Sequence, residues 1–127
     1  MEADVGGLQR KVVASIVRPL HPSHGASGIP LRGGGTLPFV VRRSWSAPAG
    51  HYAETWYLVN PATREVLYQS SDREVRIWGL QSWTDFGDAV TERLPLLPGE
   101  YLIVFALGGA KGGEVVVSAF DAIEDAA

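Results

Sequence analysis

The sequence contains no cysteine and a single methionine. Without thiols there are no disulfides, thiolate zinc sites or cysteine nucleophiles. A long apolar run is missing as well. The longest, Tyr101 to Leu107, has seven residues, far short of the roughly 20 a membrane helix needs, so direct membrane insertion is not expected. Met1 to Lys11 holds no apolar core of the kind that drives secretion. The cytoplasm is therefore the default location, and export of a processed form stays compatible. Lysine is scarce, two against nine arginines, and the arginines are scattered from Arg10 to Arg93. With a net charge of −3, nothing electrostatic favours a nucleic-acid partner, and none is expected. Only Arg42 and Arg43 adjoin, and on a strand they point to opposite sides. Both read as solvated edge or rim charges.

Helical periodicity is also nearly absent. Short β-branched and aromatic runs punctuated by glycine and proline take its place. They fall at Lys11 to Arg18, Leu37 to Arg43, Glu54 to Val59, Glu65 to Gln69, Val75 to Leu80, Ala89 to Leu96, Tyr101 to Leu107 and Glu114 to Phe120. Leu20 to Gly35 reads as a long loop with a short edge strand near Ile29 to Arg32, and Thr84 to Asp88 reads as a turn. Asn60 to Arg64 and Gly108 to Gly113 read as hairpin connections. The 127 residues, 46% hydrophobic and 20% charged, have ordinary globular composition and length for one core. The expectation is an all-β chain: one antiparallel β-sandwich of seven or eight strands over residues 1–127, with frayed tails at 1–8 and 121–127.

The segment Leu97-Pro98-Gly99-Glu100-Tyr101-Leu102-Ile103-Val104 resembles the tyrosine corner that leads into the F strand of immunoglobulin- and fibronectin-III-like sandwiches. That resemblance implies a Tyr101 hydroxyl bonded to the chain a few residues upstream, and Trp56 as the buried tryptophan of the C strand. A jelly-roll arrangement remains the alternative within the class. Leu58-Val59-Asn60-Pro61, Val66-Leu67-Tyr68 and Gly99-Glu100-Tyr101 together also look like GOLD-type trafficking sandwiches. Both resemblances speak to fold, not to function.

Catalytic constellations are missing: there is no nucleophile elbow, and Gly33-Gly34-Gly35-Thr36 lacks the lysine and helix of a phosphate loop. His21, His24 and His51 could form a metal site only if the fold gathered them, and no nearby carboxylate orients them. No metal or other cofactor is expected. Four tryptophans, Trp45, Trp56, Trp78 and Trp83, are many for this length. Alternation along 75–80 puts Val75 and Ile77 on one face and Arg76 with Trp78 on the other, with Trp83 and Phe86 following. Such a cluster suits a protein interface or a sugar ring. Tyr101 to Leu107 and its partner strand are apolar on both faces, so Leu102, Val104 and Val116 need cover, from the 20–35 loop or from another subunit. The expected function is a non-enzymatic protein-interaction or assembly module, binding a protein partner or a second copy. A carbohydrate-binding module using Trp78 and Trp83 is the alternative, and a small metal-dependent enzyme the third reading.

Overall fold

The computed structural model describes residues 10–78 and 82–122, with side chains for all of these except 82–86. The chain folds as β1 (Lys11–Pro19), β2 (Ile29–Arg32), β3 (Gly35–Thr36), β4 (Phe39–Ala47), β5 (Gly50–Val59), β6 (Val66–Gln69), β7 (Arg73–Ile77), β8 (Ser82–Val90), β9 (Gly99–Leu107) and β10 (Ala110–Asp121). One short 3-10 turn, Pro22–His24, interrupts the first long connection. These strands form an all-β sandwich of two sheets. The smaller has the order β1-β4-β8; the larger runs β3-β2-β10-β9-β5-β6, with β7 pairing β5 beyond β6. Among the described residues, no helix is long and apolar enough to cross a membrane.

Period-two alternation builds the core. On β4 the odd positions Phe39, Val41, Trp45 and Ala47 are buried, as are Trp56 and Leu58 on β5 and Tyr101, Ile103, Phe105 and Leu107 on β9. Side chains on successive strand residues face opposite sides, so one set fills the space between the sheets. The Gly108–Gly109 turn takes φ +59 and +81, which is the two-residue hairpin geometry glycine favours. Three residues on, Gly112 lies at an irregularity in the β9–β10 register, and a Cβ there would collide with the Trp45 ring.

Two expectations about the strands are corrected. Thr84 to Asp88 is no turn but the middle of β8, paired residue for residue with β4 from Ala47↔Ser82 to Phe39↔Val90. Ala89 to Leu96 is not a separate strand: β8 ends at Val90. The buried Leu94 and Leu96 imitate strand alternation from within a loop. That loop is held by Thr36, whose N–H donates to the Leu94 carbonyl at 2.9 Å and whose hydroxyl accepts from the Leu94 N–H at 2.9 Å. The segment Leu20 to Gly35 lies along the β10 edge, where β2 runs parallel to the end of β10 and Gly25 and Gly28 pack against the Phe120 ring. β10 itself continues to Asp121. The tail expected at 1–8 lies outside the described residues, as does the one expected at 121–127 apart from Asp121 and Ala122.

Candidate functional site

Polar residues gather in two places, one between the sheets and one outside them. Between the sheets, Arg43 of β4 occupies an odd, inward position and is 1% exposed. Its Nε donates to Glu54 Oε2 at 2.8 Å, its Nη1 to the Val41 carbonyl at 3.0 Å, and its Nη2 to both Glu54 Oε1 and Asp88 Oδ2. Glu54, on β5, has no exposed surface and also accepts the Trp45 indole N–H at 2.8 Å. A buried charge persists only when paired and hydrogen-bonded, and this fork–fork pair meets that condition while tying the two sheets together. The reading of Arg43 as a solvated rim charge is corrected. The signal was present in phase: Arg43 follows Phe39 and Val41 and precedes Trp45 at steps of two, and Glu54 stands two residues before Trp56.

The network reaches solvent at Asp88. Its Oδ2 accepts from Arg43 and, at 3.1 Å, from the Trp56 indole; its Oδ1 pairs with Arg73. Partial burial pushes the Asp88 carboxyl up, but the Arg43 charge and the hydrogen bonds from Trp56, Arg73 and Arg43 outweigh it and hold the group below the ordinary value. Asp88 opens onto a polar cleft of about 500 Å³ whose walls include Trp56, Tyr68, Ser70, Asp72 and Arg73. Tyr68 donates to Glu92 Oε1 at 3.0 Å, and its phenol titrates above the ordinary value through burial first and then the Glu92 and Asp88 carboxylates. With its carboxylate engaged by three donors, the cleft mouth is an anchored surface that keeps the edges of the two sheets in register.

Outside, the solvent face of the three-stranded sheet has the opposite character. The even positions of β4 and their β1 partners place Lys11 beside Ser46, Ile16 beside Arg42 and Arg18 beside Val40. Lys11, Arg18, Arg42 and the hydroxyls of Ser44 and Ser46 therefore share one face, and the register sets Asp85 of β8 opposite Ser44 on it. A groove of about 330 Å³ runs along it, lined by Ser15, Ile16, Arg18, Arg42 and Ser44. Gly87 of β8 pairs with Arg42, and a Cβ at 87 would come within 2.8 Å of Arg42 Cγ. The missing side chain makes room for the arginine stem across the sheet.

The residues singled out from the sequence are scattered. Val75 and Ile77 are buried, and Trp78 is 66% exposed with the Arg76 guanidinium 3.8 Å from its ring centroid. Trp83 and Phe86 lie on β8, opposite Ser46 and Arg43, with side chains outside the described residues. Leu102, Val104 and Val116 stand on the outer face of the larger sheet, Leu102 buried, Val104 half-buried and Val116 exposed. His21 and His24 meet edge to face while His51 contacts Glu74 on another strand. Among the described residues, no three metal-ligating side chains gather. The Tyr101 hydroxyl donates to the Leu97 carbonyl at 2.7 Å and accepts the Leu97 N–H at 3.2 Å.

No protein-family model and no curated protein matches the chain. Among solved structures it resembles the alkylpurine DNA glycosylase AlkC of Pseudomonas fluorescens, bound to DNA containing an abasic-site analogue. The TM-score is 0.58 at 11% identity, over 87% of this chain and 30% of that one. The chain thus spans less than a third of that enzyme's length. The likeness is one of fold, and it overturns two expectations because a protein sharing this fold is a DNA glycosylase held on DNA. One is the non-enzymatic protein-interaction or assembly module, together with its carbohydrate-binding alternative. The other is the exclusion of nucleic acid as a partner.

Proposed function

We propose that the chain is a nucleic-acid-binding module whose contact surface is the outer face of the three-stranded sheet. The observation that carries this reading is the excess of basic over acidic residues on that face. In a chain of net charge −3, Lys11, Arg18 and Arg42 collect beside two serine hydroxyls, against one acidic position, Asp85, that the register sets among them. Arginine and lysine neutralise phosphates and release condensed counterions, while hydroxyls fix position on the backbone. Net charge sums both sides of a molecule; a strand of nucleic acid meets one. The DNA-bound glycosylase that shares the fold supports the same reading.

The sandwich is proposed to be of immunoglobulin type. The order β1-β4-β8 facing β10-β9-β5 corresponds to strands A, B and E facing G, F and C. The Tyr101–Leu97 bonds and the buried Trp56 support it.

The test is fluorescence anisotropy of labelled DNA, single-stranded and duplex, across a salt series. Three phosphate contacts predict that log affinity falls against log salt with a slope of about −2 to −3. Replacing Arg18 and Arg42 together by alanine brings that slope to about −1. Absence of binding to either DNA at low salt overturns the proposal, as does a salt slope untouched by the double replacement.

A further inference from the structure

One end of the sandwich concentrates cations stacked on aromatic rings. The registers place Lys11 beside Ser46 and Gly50 beside Ile77, so the start of β1, the β4–β5 turn and the end of β7 lie together. The β9–β10 turn joins them, because the Gly108 N–H donates to the Ala53 carbonyl at 2.8 Å. Arg10 lies 4.9 Å over the Tyr52 ring and donates to the Leu107 carbonyl at 3.3 Å. Tyr52 is itself fixed by a hydroxyl bond of 2.7 Å to the Pro48 carbonyl. Trp78 follows Ile77 at this same end. A ring capped on one side by the Arg76 guanidinium and still 66% exposed presents its other face to water.

We infer that Trp78, backed by Arg76, is a base-stacking platform for single-stranded nucleic acid. The inference rests on the nucleic-acid reading above and adds to it which form of nucleic acid is bound. A nucleotide carries an aromatic face and an anion a few ångströms apart. The indole offers a stacking surface, and the guanidinium edge beyond it offers donors for the neighbouring phosphate. The cation behind the ring also draws electron density from the indole, which favours stacking on electron-rich bases. Lys11, the last basic residue of the proposed phosphate-binding face, lies at this same end of the sandwich. Duplex bases are already stacked on each other and cannot use such a ring. His51 contacts Glu74 across β5 and β7 at 3.4 Å.

The experiment compares Trp78→Ala and Trp78→Phe with the wild type on one labelled oligonucleotide, single-stranded and as duplex, with urea melts to establish that each variant is folded. Single-strand affinity is expected to fall about fivefold or more for alanine and less for phenylalanine. Duplex affinity and the salt slope should be unchanged. Tryptophan fluorescence should be quenched by the single strand in the wild type and much less in Trp78→Ala. Equal losses on single strand and duplex, or no loss on either, overturn the platform and leave the phosphate-binding face standing. A wild type that binds neither form overturns both.

Discussion

Arg42 and Arg43 are separated by one peptide bond and live under different electrostatics. Arg43 points between the sheets, where water is excluded and the charge must be matched atom by atom; Glu54, Asp88 and the Val41 carbonyl do this. Arg42 points outward, with Arg18 and Lys11 on a face where solvent screens repulsion. The inner charge holds the fold in register, and the outer one stands on the face proposed to meet a polyanion. What separates the two charges here is strand parity, which residue type alone does not express.

The comparison breaks most sharply at the buried partner. Glu54→Ala leaves the Arg43 guanidinium and the Trp45 N–H unmatched, and chemical denaturation should show a loss of about 3–5 kcal/mol. Replacing the whole pair, Arg43→Met with Glu54→Leu, should recover most of that loss, because an apolar pair of similar volume avoids desolvating two charges. Exchanging arginine for lysine sharpens the contrast. Arg43→Lys cannot span both Glu54 oxygens, the Val41 carbonyl and Asp88, and about 2 kcal/mol should be lost. Arg42→Lys should change stability by less than about 0.5 kcal/mol.

Acid provides a subtler cut. The Asp88 carboxyl titrates below its ordinary value of 3.8 in the folded chain, so its contribution to stability is full above that value. It is lost as pH falls through 3.8 towards the folded value. Asp88→Asn has nothing to titrate at this position. The stability gap between wild type and variant, measured by urea melts from neutral to acid, should narrow across that window. The smallest effect on the fold belongs to Arg42→Ala. Its melt should overlay the wild type within about 0.5 kcal/mol, while the salt slope of DNA binding drops by about 1.

Much of the architecture was legible because it depends on short-range alternation. The tracts at Lys11 to Arg18, Glu54 to Val59, Tyr101 to Leu107 and Glu114 to Phe120 all lie within strands, and Arg76 with Trp78 faces away from Val75 and Ile77 as their spacing implies. β8 was misread because Gly87 and two aspartates mark a turn in isolation, whereas nine residue-for-residue pairings with β4 hold it extended. The cationic face escaped notice for a related reason. Lys11, Arg18 and Arg42 are far apart along the chain and meet only when β1 pairs with β4.

The sequence by itself determined the class of fold, the inward and outward sets along each tract and the tyrosine at the corner before β9, since all of these follow from the two-residue period and local turn chemistry. Tertiary structure alone decided which strands became neighbours, and therefore which charges were paired in the interior and which were gathered on one face. Pairing joins residues tens of positions apart, and the energy of a charge depends on the neighbours and the water around it.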